Sequence, residues 1–249
     1  MIIIKNNKEI DLMRSAGRIV AETLLLVEEK VRPGITTAEI DRIAEEFITK
    51  HGAKPSFKGL YGFPASLCIS VNEQVVHGIP GGYVLKDGDI VSVDCGAYLN
   101  GFHGDAARTF AVGNVSEEAN KLIKVTEQSF FKGIEYAKVG NRLTDISHGI
   151  QSYIEASGFA VVRDFVGHGI GKVVQEDTDV PNFGKPGRGP KLAQAMALAI
   201  EPMVNLGSYK VKTLNDDWTV VTSDGSLSAH YENTIVILPD GPEILTLIK

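Results

Sequence analysis

The stretch DIVSVDCGAYLNGFHGDAARTF, residues 89–110, decides how this chain is expected to fold. Two runs of β-prone residues flank Asn100-Gly101, and an Asn-Gly pair between such runs is the strongest short-range signal of a β-hairpin. If these two residues form the loop, position 99 pairs with position 102, and the rest of the register follows. The sequence therefore predicts two long antiparallel strands at the centre of a sheet.

This register brings two acidic residues together on one face of the hairpin. Asp94 faces Ala107 and Asp105 faces Gly96, so the two aspartates are diagonal neighbours with Cβ atoms ~7–8 Å apart or somewhat less. Two unpaired carboxylates this close on a buried face would repel each other and resist ionisation. A bound cation removes the difficulty, because hard cations coordinate ionised carboxylates. The alternative is a pair of acids on a solvated face of the sheet.

Three further residues stand in similarly unusual settings. His168 lies in VGHGIG, between glycines that allow close backbone approach, and Glu201 and Glu232 lie in the strand-like runs ALAIEPMV and AHYENTIVIL. A single glutamate in such a strand is more often a hydrogen-bonded structural acid than a ligand. Two aspartates, two glutamates and one imidazole can, however, hold two divalent ions through shared carboxylates. An oxygen-rich set with one imidazole favours Mn, Fe, Co or Zn over calcium.

The pattern along the chain predicts an α+β fold. Helices are expected at residues 7–31, from a capping box at Thr36 and Glu39 to about 52, at 116–138 and at 143–157. Strands are expected between 66 and 112 and again from 159 onward, and the Gly/Pro-rich region between His168 and Lys191 is expected to be a functional loop. The order of two helices then strands, repeated, suggests a duplicated half. No break in composition marks a linker, so residues 1–249 are expected to form a single domain.

Composition excludes several classes of function. A net charge of −6 argues against general binding to nucleic acid or to an anionic membrane. The N-terminus lacks the features of a signal peptide, and no apolar run approaches the ~20 residues that span a bilayer. Two cysteines, Cys68 and Cys95, do not make a disulfide framework or a structural zinc site. A cytoplasmic protein is expected.

Several blocks of sequence, in order and at matching spacing, resemble the bacterial type I methionine aminopeptidases. These blocks are GRIVAET, RPGITTAEID, CISVNEQVVHGIP, LKDGDIVSVDCGAYLNGFHGDAARTF, VGHGIG, LAIEPMV and DWTVVTSDGSLSAHYENTIVI. The resemblance implies the pita-bread fold, a curved antiparallel sheet covered by helices in two pseudo-symmetric halves. It also implies removal of the initiator methionine from nascent polypeptides whose second residue is small. The metal ligands of the family fall on the residues singled out above: Asp94, Asp105, His168, Glu201 and Glu232.

The resemblance also implies roles in catalysis and substrate binding. Two divalent ions (Co, Mn, Fe or Zn) would lower the pKa of a shared water toward ~7, and Glu201 would act as general base. His77 matches the histidine that lies beside the scissile peptide. The methionine pocket is expected from Phe57, Leu60, Tyr61, Phe63, Cys68 and Trp218, and ordinary core remains the alternative for Phe57 and Leu60.

One position departs from the family pattern. Many members carry a second substrate-facing histidine seven residues after the ligand histidine, where this chain has Gln175. Glutamine can still donate a hydrogen bond to the substrate, but it cannot be protonated. If the histidine stabilises charge in the transition state, its loss would cost roughly 10²–10³ in rate, of which Gln175 would recover part.

Two other functions compete with this hypothesis. A prolidase or aminopeptidase P uses the same fold, but such enzymes usually carry an extra N-terminal domain for which this chain has no room. A non-catalytic binding protein derived from the fold would generally have lost metal ligands, and all five are present. The resemblance further suggests a monomer. The scattered lysines do not decide whether the protein docks at the ribosome.

Overall fold

Two α-helices open each half of the chain in the computed structural model, which describes residues 2–248. The helices are α1 (Asn7–Lys30), α2 (Thr37–Lys50), α3 (Glu117–Ile134) and α4 (Leu143–Ala156). The predicted capping box of α2 is present: Glu39 N donates to Thr36 Oγ1 at 3.1 Å, and Thr36 N donates to Glu39 Oε2 at 3.0 Å. None of the helices within the described residues has the length and apolar character needed to cross a membrane.

The third helix ends earlier than the predicted residue 138. Beyond Ile134 the backbone tightens, because Tyr136 N donates to Gly133 O and Ala137 N donates to Ile134 O, each three residues back. Gly133 also packs directly on α4, where a Cβ at this position would lie 2.5 Å from Ile150 Cγ1. The other three helices match their predicted bounds to within two residues.

The strands form four antiparallel sheets. In chain order they are β1 (Lys54–Pro55), β2 (Leu67–Val71), β3 (Gln74–Val76), β4 (Ile90–Leu99), β5 (Phe102–Ala111), β6 (Ala160–Val161), β7 (Gly167–Gly169), β8 (Glu176–Val180), β9 (Ala197–Ile200), β10 (Met203–Asn205), β11 (Val211–Thr213), β12 (Val220–Thr222), β13 (Ser228–His230), β14 (Asn233–Leu238) and β15 (Gly241–Ile244). Strand β4 pairs with β1, β2 and β5. A second sheet has the order β15-β14-β9-β7-β8, and two smaller sheets have the orders β13-β10-β6 and β11-β12-β3.

The central hairpin has the predicted register. Asn100 and Gly101 form its loop with φ values of +51° and +91°, as a primed two-residue turn requires. Asp94 faces Ala107, and Gly96 faces Asp105. The prediction that the two aspartates share a face as diagonal neighbours is therefore confirmed.

Two segments predicted as continuous strands are each interrupted. AMALAIEPMV divides into β9 and β10 around Glu201-Pro202, and AHYENTIVIL divides into β13 and β14 around Tyr231-Glu232. Proline has no backbone N–H to donate, so the strand ladder cannot continue through Pro202. Instead, Tyr231 N donates to Pro202 O at 3.2 Å. The region between His168 and Lys191 is also not all loop, since it contains β8.

Two large apolar clusters hold the sheets to the helices. One packs α1 and α2 against β2 and β4, around Ile40, Ile48 and Val93. The other packs α3 and α4 against β9 and β14, around Phe130 and Ile150. The second helix pair thus covers the second sheet much as the first pair covers the first.

Candidate functional site

The hairpin places two carboxylates at the centre of the molecule. Asp105 is 3% exposed, and the Oδ1 atoms of Asp94 and Asp105 are both buried without a hydrogen-bond partner in residues 2–248. Burial raises the pKa of Asp94 to about 7. Burial also raises the pKa of Asp105 well above its usual range, and the charges of Asp94 and Glu201 add to the effect. Neither carboxylate is in a setting that favours its ionised form on its own.

Both glutamates lie where strands pass from one sheet to another. Glu201 directly follows β9, and Glu232 directly precedes β14. Because Ile200 pairs with Asn233 in the antiparallel ladder of these strands, the two glutamates are the next residues along and meet at its end. Burial is the main cause that raises the pKa of each glutamate well above its ordinary value, followed by the charges of neighbouring carboxylates.

Backbone hydrogen bonds join the aspartate hairpin directly to the glutamates. Glu232 N donates to Ala107 O at 3.0 Å, and Ala107 N donates to Glu232 O at 3.3 Å. Beside them, Asp105 N donates to Thr234 Oγ1 at 3.0 Å, and that hydroxyl donates to Asp105 O at 2.9 Å. The carboxylates of the two halves are thus held at fixed positions relative to each other by main-chain contacts.

His168 completes this group from strand β7. It pairs with Ala199 of β9, two residues before Glu201. Its Nδ1 lies 2.9 Å from Gly169 O, which as acceptor requires a proton on Nδ1 and leaves Nε2 free. Nε2 lies 3.6 Å from Glu201 Oε1 and 3.9 Å from Asp105 Oδ2. Burial lowers the pKa of His168, which favours the neutral imidazole that binds metals.

The side chains of this centre match a site for divalent cations. In the described part of the chain, Asp94 Oδ1, Asp105 Oδ1 and Glu232 Oε1 are buried and accept no hydrogen bond. Buried carboxylates are normally paired or coordinate metals. Donor atoms of Asp105, His168 and Glu232 all lie within 4.8 Å of one another. The five residues expected as ligands are brought together, and their chemistry fits the implied metals.

An apolar cavity of about 260 Å³ opens onto this centre. All side chains predicted for the methionine pocket line it: Phe57, Leu60, Tyr61, Phe63, Cys68 and Trp218. The rings of Phe63 and Trp218 meet edge to face with centroids 5.1 Å apart. Cys68 on β2 pairs with Asp94 on β4, so the pocket wall directly adjoins a predicted ligand. Tyr61 is 80% exposed and lies at the mouth rather than in the wall.

The two residues predicted to contact the substrate lie on the same cavity. His77 has a φ of +59°, a strained conformation for a residue other than glycine. The next residue packs closely on β2: Ile69 N donates to Gly78 O at 2.8 Å, and a Cβ on Gly78 would lie 2.2 Å from Ile69 O. The His77 ring meets Phe165 edge-on at 5.6 Å, and burial lowers its pKa. Gln175 is exposed and also lines the cavity, next to buried Val174.

One histidine of this centre was not predicted from the sequence. His230 lies 3.9 Å through Nε2 from both Glu201 Oε2 and Glu232 Oε2. A signal was available, because residues two apart in an extended run point to the same side, and His230 precedes Glu232 by two. Phe165, which packs on His77, was also missed, and the sequence around it offers no comparable signal.

Comparison with known proteins identifies strong similarities over the whole chain. The model of metallopeptidase family M24 matches residues 11–239. The chain is 78% identical to a methionine aminopeptidase of Clostridium perfringens and 56% identical to methionine aminopeptidase 1 of Bacillus subtilis, covering 100% of each chain in both cases.

Solved structures agree with these sequence matches. The methionine aminopeptidase of Thermotoga maritima superposes with a TM-score of 0.98 at 47% identity, covering 100% of both chains. A prolidase from Pyrococcus furiosus matches 99% of this chain and 66% of its own with a TM-score of 0.81 at 22% identity, which shows a shared fold only. The expected pita-bread fold is confirmed.

Proposed function

Since this chain belongs to metallopeptidase family M24 and aligns from end to end with bacterial methionine aminopeptidases, we propose that it removes the initiator methionine from nascent polypeptides. It is a metal-dependent hydrolase acting on N-terminal methionine. The observation that carries the proposal is the position of the five carboxylate and imidazole ligands on the wall of an apolar cavity that also presents His77 and Gln175.

Asp94, Asp105, His168, Glu201 and Glu232 would hold two divalent ions. When bound, such ions lower the pKa of a coordinated water and polarise the scissile carbonyl. Glu201 is suited to move the proton: it would accept a proton from the attacking water and deliver it to the leaving amine. Its two oxygens face different histidines, with Oε1 at 3.6 Å from His168 Nε2 and Oε2 at 3.9 Å from His230 Nε2.

The rest of the cavity would position the substrate. The aromatic rings of Phe57, Phe63 and Trp218, together with the neutral thiol of Cys68, suit an unbranched thioether. Burial and the charge of Asp94 raise the pKa of Cys68 well above its usual value, which keeps the thiol protonated. His77 would contact the scissile peptide, and Gln175, which lines the same cavity, would donate a hydrogen bond to the substrate. The proposal also requires the second residue of the substrate polypeptide to be small.

Release of methionine from a Met-Ala-Ser peptide tests the proposal. Chelated protein is compared with protein given Mn, Co, Fe or Zn, and Glu201→Ala is expected to lose at least ~10²-fold in turnover. Glu46→Gln, which changes an exposed acid on α2, serves as the matched control and is expected to retain full activity. An Xaa-Pro peptide separates this function from that of a prolidase. Cleavage of Xaa-Pro in preference to Met-Ala, or no cleavage with any of the four metals, contradicts the proposal.

We further propose that residues 1–249 act as one catalytic domain, as a monomer in the cytoplasm. The substrate supports this location, because nascent chains carry their initiator methionine there. The cysteines also support it, since Cys68 and Cys95 are both free and buried. Light scattering of the metal-loaded protein at micromolar concentration tests the monomer, and a mass of two chains contradicts it.

A further inference from the structure

His230 is buried beside the metal centre without a hydrogen-bond partner for Nε2 among residues 2–248. The side chain is 2% exposed. Both backbone polar groups of His230 are hydrogen-bonded to Thr109. His230 N donates to Thr109 Oγ1 at 2.9 Å, and that hydroxyl donates to His230 O at 2.8 Å. His230 is thus held at the end of β13, with its ring facing the carboxylates of Glu201 and Glu232. A buried ring nitrogen without a partner requires an explanation.

The distances indicate what kind of partner is involved. Nε2 lies 3.9 Å from Glu201 Oε2 and 3.9 Å from Glu232 Oε2, which is too long for a hydrogen bond. Ligand atoms lie about 2.0–2.2 Å from a metal such as zinc, so two ligands of one ion are roughly 3–4 Å apart.

The ligands already described provide an internal comparison. His168 Nε2 lies 3.6 Å from Glu201 and 3.9 Å from Asp105, at the same spacing and also too far for hydrogen bonds. His230 stands in the same relation to Glu201 and Glu232, and donor atoms of these three residues all lie within 4.8 Å of one another.

We propose that His230 is a sixth ligand of the metal centre and supplies a second imidazole to the ion held by Glu201 and Glu232. The inference rests on the two-metal site of the proposed function. It changes the chemistry expected of that site, because imidazole favours Zn, Fe and Co, whereas Mn prefers oxygen ligands. A centre with two imidazoles discriminates against Mn²⁺ more strongly than a centre with one.

Cadmium NMR tests ligation directly and without measuring activity. The protein is loaded with two equivalents of cadmium, and scalar coupling between the metal nucleus and ring protons identifies each histidine bonded to it. His168 and His230 are both expected to couple in the wild-type protein, and only His168 in His230→Gln. His103→Asn provides the control: this histidine lies on β5, where its Nδ1 is 2.8 Å from Ser56 Oγ, and its loss should leave both couplings intact.

Competition with a chelator gives a second readout. Loss of even an outer-shell partner of a metal ligand costs about 10–100-fold in affinity, so His230→Gln should weaken Zn²⁺ binding at least ~10-fold. It should weaken Mn²⁺ binding less. A wild-type spectrum in which only His168 couples to cadmium overturns the proposal that His230 is a ligand. This test needs only the wild-type protein, so it remains valid even if His230→Gln fails to fold. Coupling to His168 alone would leave the proposed metal-dependent release of methionine unaffected. Wild-type protein that binds no cadmium and releases no methionine overturns the proposed function as well.

Discussion

A buried ion pair links the N-terminal segment to the start of β8, next to the cavity residue Gln175, and its disruption should be costly. Lys5 Nζ contacts Glu176 Oε2, with the two side chains 1% and 4% exposed. The other oxygen of Glu176 accepts a hydrogen bond from Lys172 N at 3.1 Å. The packing is tight, because a Cβ on Gly171 would lie 2.3 Å from Glu176 Oε1 and 2.6 Å from Lys5 Cε. Lys5→Met would therefore leave the Glu176 carboxylate buried, with little space for water beside it.

The expected loss follows from this burial. Removing one partner of a buried ion pair costs about 3–5 kcal/mol, whereas replacing both partners by neutral groups is often close to neutral. Lys5→Met should therefore lower the free energy of unfolding by about 3–5 kcal/mol. Adding Glu176→Gln removes the uncompensated charge and keeps an acceptor for Lys172 N, so the double variant should recover at least ~2 kcal/mol. Glu176 directly follows Gln175, which is proposed to bind the substrate, so Lys5→Met should also raise KM.

Urea unfolding in the presence of a chelator measures the effect without a contribution from metal binding. Arg42→Met is the matched control, since its pair with Glu46 is exposed, at 61% and 64%, and should contribute less than ~0.5 kcal/mol. A loss below ~1 kcal/mol for Lys5→Met would refute the reasoning. A double variant as unstable as the single variant would refute it equally, because the cost would then not arise from the unpaired charge.

Three further outcomes are expected. Gln175→His should raise kcat by up to ~10²-fold and add a titration near pH 6.5 to the rate profile; an unchanged profile would show that this position does not touch the reacting groups. Arg108 donates to Glu232 O at 2.6 Å and to Ala107 O at 2.8 Å. Arg108→Met should therefore lower the free energy of unfolding in urea by roughly 2–4 kcal/mol. It should also weaken Mn²⁺ binding, as measured by calorimetry. Burial raises the pKa of Asp94 to about 7 in chelated protein, so protons compete with the metal for this carboxylate at pH 6 and much less at pH 8, and metal affinity should rise over this range. Calorimetric titration with Mn²⁺ at pH 6 and pH 8 measures this affinity, and equal affinities at the two pH values would contradict the expectation.

Prediction from sequence succeeded where local chemistry determines the structure. The Asn100-Gly101 loop fixes its own turn type, and the turn fixes the register of every pair along β4 and β5. This placed Asp94 and Asp105 on one face without any knowledge of the rest of the fold. The capping box at Thr36 and Glu39 likewise needs only residues three apart. Such features depend on short-range geometry that the sequence states directly.

Features that depend on distant contacts were missed or misplaced. Glu201 and Glu232 were identified as unusual, but their runs were predicted as unbroken strands, and the change of sheet at Pro202 became visible only in three dimensions. The helix α3 was predicted to run to residue 138, but it ends at Ile134, where the backbone changes to hydrogen bonds that reach three residues back. His230 lies two residues before Glu232, which is a local signal, but its proximity to Glu201 arises from another strand and is not encoded locally.

The hydrogen bonds between β5 and β14 have a consequence for how the chain folds. Asp105 and Thr234 are 129 positions apart, so the contact that brings the two halves of the centre together closes a very long loop. Contacts of such separation form late, since the entropy of closure must be overcome before they contribute stability. We therefore expect the complete ligand set to form late in folding, and we expect ions that bind it to slow unfolding. Metal supply should then govern how long the folded protein survives proteolysis in the cell, apart from any effect on turnover.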